Sequence, residues 1–130
     1  MFSWLTSWFK TSEPIPVGVG IYRYNADGVL NEAIQIKDGR VIYNSNKKGM
    51  VDSNLILQLI EKHDMQRMDN YYGDSSRKQI YTEITLSDGK RLWSIHHELG
   101  APLQIGMFID EVCRLAIDVT TKSHEAYGHE

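Results

Sequence analysis

The chain has 130 residues, a net charge of −3 and a pI near 5.9, which suits one domain with one modest core and leaves no basic footprint for DNA or RNA. No apolar run reaches the roughly 18 residues that a membrane span needs. The single cysteine, Cys113, can close no internal disulfide, which fits a reducing, cytoplasmic setting, and its apolar helical surroundings make it a buried, inert thiol rather than a nucleophile.

The first ten residues, MFSWLTSWFK, separate into two sides at about 100° per residue. Phe2, Trp4, Leu5, Trp8 and Phe9 fill one side; Ser3, Thr6, Ser7 and Lys10 fill the other. Such rings suit a membrane interface or an oligomer contact. A single lysine offers little attraction to anionic lipid, so docking on the protein's own core or on a second copy is the favoured reading. Thr11–Pro16 is a linker, extended by its two prolines.

Val17–Tyr24 alternates Val17, Val19 and Ile21 with Gly18, Gly20, Tyr22 and Tyr24, the pattern of a half-buried strand. Gly18 and Gly20 are no dinucleotide loop, because position 23 is Arg and a strand continues. Val29–Ile36 and Arg40–Asn44 are two further strands around the Asp38-Gly39 turn, which makes a meander. Asn44–Val51 reads as a polar loop. Asp52 or Ser53 caps a helix with a stripe of Leu55, Ile56, Leu59 and Ile60, which runs on as far as Met68.

Asn70–Lys78 is an irregular loop with two tyrosines and mixed charge. Tyr71, Tyr72, Asp74 and Arg77 are candidate partner-binding residues, since tyrosine offers contact area at low entropic cost. The competing reading has both tyrosines folded back over the core edge. Gln79–Leu86 and Lys90–His97 form a hairpin around Ser87-Asp88-Gly89. Pro102 opens a helix to Val119, with a stripe of Ile105, Phe108, Ile109, Val112, Leu115, Ala116 and Val119. Thr120–Glu130 is a polar tail, expected to be loose.

A shift of 50 residues lays one hairpin on the other. Ile34 falls on Ile84, Ile36 on Leu86, Asp38-Gly39 on Asp88-Gly89, and Tyr43 on Trp93. Shared fold chemistry explains the match as well as ancestry does, and either way it supports two ββα units.

No cluster rises to a named chemistry. His96 and His97 are neighbours on a strand and so point to opposite faces, where they cannot chelate one ion together. One of them could join Glu83 or His63 from elsewhere. His124 and His129 are five apart, where the zinc-protease helix motif needs four. No nucleophile elbow or phosphate loop is present, and neither catalytic residues, metal nor cofactor is expected.

The segment YTEITLSDGKRLWSIHHELGAPLQIGMFIDEV, preceded by a helix and the loop MDNYY, resembles emfourin, a family of small bacterial protein inhibitors of thermolysin-like metallopeptidases. The resemblance covers about Ile34–Leu115 and implies that the chain binds another protein. The extra first strand and the aromatic leader depart from that pattern, and no inhibitory residue set carries over.

The expected architecture is α+β: a leader and linker over 1–16, one domain over 17–119, and a tail over 120–130. The domain is a single antiparallel sheet of about five strands with two helices on one face, in the order β-ββα-ββα. The expected function is a non-catalytic protein-binding module of inhibitor or toxin-neutralising type. The alternative is a peripheral membrane or assembly component working through the leader.

Overall fold

The computed structural model describes residues 15–73, 79–98 and 102–128, with the side chains of the final helix described as far as Val119. The fold is α+β, as the sequence indicates. The strands are β1 (Gly18–Tyr24), β2 (Leu30–Lys37), β3 (Arg40–Tyr43), β4 (Asn46–Met50), β5 (Tyr71–Tyr72), β6 (Tyr81–Ser87) and β7 (Leu92–His97). The helices are α1 (Ser53–Lys62) and α2 (Leu103–Gly128), with a 3-10 turn at Met65–Arg67 after α1. All seven strands join one sheet in the order β4-β3-β2-β1-β6-β7-β5.

The expectation of about five antiparallel strands needs two corrections. The segment read as a polar loop contains β4, which pairs antiparallel with β3. Asn44 and Ser45 both take positive φ, at 46° and 72°, and turn the chain in two residues. Asn44 is held there by its Oδ1, which accepts from the Ala33 amide at 2.8 Å. An edge strand reading NKKGM has no apolar face to announce it, and its lysines guard an open edge. The second addition, β5, is only two residues long and runs parallel to β7, so the sheet is mixed.

The core lies between one sheet face and the two helices. Val19, Ile21, Ile34, Ile36, Val41, Ile84, Leu86 and Ile95 meet Ile56, Ile60, Ile105, Phe108, Ile109, Val112 and Ala116. Asp52 caps α1 by accepting from the Asn54 amide at 2.9 Å. The buried stripe of α1 is narrower than its spacing suggests, because Leu55 is exposed and only Ile56 and Ile60 are fully covered. Asp64, left-handed at φ 53°, ends the run towards Met68 and turns Met65 into the core. The last helix continues to Gly128, beyond the apolar stripe that ends at Val119; once packed turns have nucleated it, each added residue needs only its own hydrogen bond.

The two hairpins flank β1. Ile21 is paired with Ile34 on one side and Ile84 on the other, and Val19 with Ile36 and Leu86. The 50-residue shift therefore holds for β2 and β6. It slips by two residues in the return strands, where Leu86 pairs with Trp93 but Ile36 pairs with Val41. The cause is turn length: β2 and β3 are joined by Asp38-Gly39 alone, whereas Asp88–Arg91 separates β6 from β7.

Candidate functional site

Alternation along β1, β6 and β7 sends a second set of side chains to the face away from the helices. Near one end of that face, four strands each contribute a ring. Tyr24 of β1 stacks on Tyr81 of β6 with centroids 4.8 Å apart. Tyr81 stacks on His96 of β7 at 4.8 Å, and His96 on Tyr71 of β5 at 4.6 Å. The row crosses β1-β6-β7-β5 and ends at the sheet edge, where Tyr71 is 47% exposed.

The imidazole inside the row is held at both nitrogens. His96 Nδ1 lies 2.5 Å from Glu83 Oε1, its cross-strand neighbour, and Nε2 lies 2.6 Å from Glu98 Oε2. Tyr71 donates its hydroxyl to the same Glu98 oxygen at 3.3 Å. Burial alone would lower the pKa of His96, but the bonds to Glu83 and Glu98 outweigh it and hold the value above the ordinary one. A protonated ring donating to two carboxylates satisfies all three groups.

The backbone locks the edge in the same place. The His96 amide donates to Asn70 O at 2.8 Å and the Glu98 amide to Tyr72 O at 2.7 Å, which fixes β5 beside β7. Glu98 is itself buried. Gly73 leaves the space for it: a Cβ there would overlap the Glu98 carboxylate.

The sequence-predicted site residues divide. Tyr71 belongs to the row. Tyr72 faces the other way and covers the core edge, accepting from the Asp69 amide at 2.8 Å and lying against Met68 Sδ. Folding back over the core edge describes Tyr72, whereas Tyr71 stays at the exposed edge. Asp74 and Arg77 lie outside the described residues, as do Phe2, Trp4, Leu5, Trp8 and Phe9. His96 and His97 take opposite faces, and His96 is the one that meets Glu83. His63 instead lies against Glu111 of α2, 2.5 Å away, with Lys62 reaching the other Glu111 oxygen at 2.7 Å. Sequence reasoning missed Tyr24 and Tyr81, whose signal was their placement on the non-core parity of their strands.

A cleft lies between strands β1–β4 and α2. This cleft of about 360 Å³ is lined by Arg23, Glu32, Tyr43, Lys48, Cys113 and Ile117 among others. Its polar groups are turned on one another: Arg23 pairs with Glu32 at 3.4 Å and donates to Cys113 Sγ at 3.5 Å, while Tyr43 donates to Glu32 at 2.7 Å. Burial, ahead of the opposing effect of Arg23, pushes the Cys113 thiol above its ordinary pKa, which is the direction of a poor nucleophile.

Among the described residues, no group of three or more His, Cys, Asp or Glu is arranged to hold a metal ion, and no helix is long and apolar enough to cross a membrane. No family model matches the chain, and no curated protein or solved structure matches it either.

Proposed function

We propose that the chain is a non-catalytic protein-binding module of inhibitor or toxin-neutralising type, and that it meets its partner at the β5 edge. The observation that carries this reading is the row Tyr24–Tyr81–His96–Tyr71, braced through three strands and ending in a large aromatic side chain on the outermost one. A rigid aromatic at an edge offers contact area without much ordering cost.

The arrangement of His96 favours binding over catalysis. A general base needs a nitrogen that can reach a substrate proton, and both nitrogens here are engaged by carboxylates within the fold. β5 lies within Asn70–Lys78, and Asp74 and Arg77 follow it in sequence. The resemblance to emfourin points the same way and nominates a thermolysin-like metallopeptidase as the first partner to try.

The test compares wild type with Tyr71→Ala as baits in lysate of the native host. A protein retained by the first and lost by the second supports the reading; equal retention refutes it. Titrating a thermolysin-like peptidase with the purified chain tests the inhibitor type specifically, and inhibition that Tyr71→Ala leaves unchanged places contact elsewhere.

A further inference from the structure

We propose that the proton on His96 latches the β5 edge: the charged ring holds β5 against β7, and the neutral ring releases it. The consequence for a partner rests on the reading of that edge as the binding surface, and there the charged ring favours binding.

The geometry of the ring carries the argument. Nδ1 lies 2.5 Å from Glu83 Oε1, and Nε2 lies 2.6 Å from Glu98 Oε2. An imidazolium has two N–H groups and donates to both carboxylates. A neutral imidazole has one. Whichever tautomer forms, the other nitrogen then turns a lone pair on a carboxylate oxygen at hydrogen-bond distance, and that contact is repulsive. One carboxylate has to withdraw.

The backbone decides which. Glu83 is held directly opposite His96 within the β6–β7 ladder. That ladder stops at His97, paired with Thr82, so Glu98 lies just beyond it. Glu98 is also the joint to β5. Its amide donates to Tyr72 O at 2.7 Å, and its Oε2 accepts from the Tyr71 hydroxyl at 3.3 Å. Gly73 packs so closely on its carboxylate that a Cβ there would overlap it. Since β5 has two residues and β7 is its neighbour in the sheet, withdrawal of Glu98 loosens the contacts that seat Tyr71. A strand joined by so few bonds opens locally while the rest of the sheet stays folded.

Among the described residues, the ionisable groups against the ring are Glu83 and Tyr81 from β6, Tyr71 from β5, and Glu98. His97 takes the opposite face, and burial, then the charge of His96, lower its pKa. Burial of His96 disfavours its charge, and the bonds to Glu83 and Glu98 outweigh that, so the ring holds its proton above the ordinary value of 6.5. The latch is therefore closed below that value and opens as pH rises through the higher folded one.

Amide hydrogen exchange of the full wild-type chain, from about pH 6 to about pH 9, tests this, with the His96 ring signals reporting its charge. Rates are corrected for the intrinsic effect of pH. Protection at the His96 and Glu98 amides should fall as the ring titrates, by up to about tenfold per pH unit, the limit for one released proton. Exchange there should stay faster than at the Ile21 and Ile84 amides and be insensitive to low urea, as a local opening requires. In Glu98→Gln the side-chain amide donates to a neutral ring and accepts from a charged one, so most of the pH dependence should go. Edge protection that is constant over the whole range, edge amides that match the core in protection and urea dependence, or a Glu98→Gln edge as pH-dependent as wild type overturns the latch. Capture from native host lysate at both ends of the range reads the partner separately. Tyr71-dependent retention should fall as the edge opens; retention that stays level while it opens overturns the control of binding. Capture that is independent of Tyr71 at both ends refutes the binding surface instead, and hydrogen exchange still decides the latch.

Discussion

The ring of Tyr71 lies 4.6 Å from that of His96 at an interplanar angle of 8°, and the two belong to strands paired in parallel at the sheet edge. The tyrosine that faces the outside is therefore tied, through one imidazole, to carboxylates on two other segments.

His96 should titrate above the ordinary histidine value of 6.5. Burial works against this, and the Glu83 and Glu98 carboxylates outweigh it. A raised pKa means that the folded chain holds the proton more tightly than the unfolded one. The stability it contributes is complete below 6.5 and is lost as pH rises through the higher folded value. His97 runs the other way. Burial first, then the charge of His96, lower its pKa, so its contribution is present above the ordinary value and is lost as pH falls through the lowered one. NMR titration of the two rings separates them. A His96 that titrates at or below the ordinary value contradicts the doubly bonded geometry.

Replacing His96 with Ala should cost more than replacing Tyr71. It removes the ring that bonds Glu83 and the buried Glu98 together, a loss of about 2–4 kcal/mol. Tyr71→Ala removes one stacked ring at a half-exposed edge, which is worth about 1 kcal/mol. Urea unfolding midpoints of the two variants give the order directly.

Gly73→Ala should loosen the edge without touching any ring of the row. Its new methyl group overlaps the Glu98 carboxylate, which must then leave His96. Faster hydrogen exchange at the His96 and Glu98 amides, both bonded to the β5 segment, is the expected readout. Unchanged exchange there is the contrary one.

Ile21→Ala should be among the most damaging core substitutions. Ile21 is fully buried and has Ile34 and Ile84 on its two sides, so neither hairpin can close the gap without leaving its register. The expected loss is about 3–5 kcal/mol, read from denaturant unfolding.

Glu111→Gln should weaken the junction of α1 and α2. The bond from His63 and then that from Lys62 hold the Glu111 carboxyl below its ordinary pKa of 4.5. Its stabilising effect is present above that value and is lost as pH falls through the lowered one. The variant should therefore unfold at a lower temperature at neutral pH and approach wild type in acid.

Much of this fold was readable because its signals are local. Alternation in Val17–Tyr24, the Asp-Gly pairs at 38–39 and 88–89, and the Asp52 cap each need only a few neighbouring residues. The two edges were not readable. The polar sequence of β4 carries no periodicity, and β5 is held by backbone bonds to a strand more than twenty residues away. The site was hidden for the same reason. Placing Tyr24 beside Tyr81, and Tyr71 beside His96, requires the β1–β6 and β5–β7 registers, both set by distant pairing. Only the meeting of Glu83 with His96 lay within one hairpin, and its four-residue connection left that register open.

Binding through the β5 edge is open to direct measurement. The most direct measurement is quantitative capture from native host lysate with three baits: wild type, Tyr71→Ala, and Met50→Ser on the exposed opposite edge. One protein should be retained equally by wild type and Met50→Ser, and reduced about tenfold or more with Tyr71→Ala, as for a central aromatic anchor. Equal retention by all three baits, or a loss confined to Met50→Ser, contradicts it.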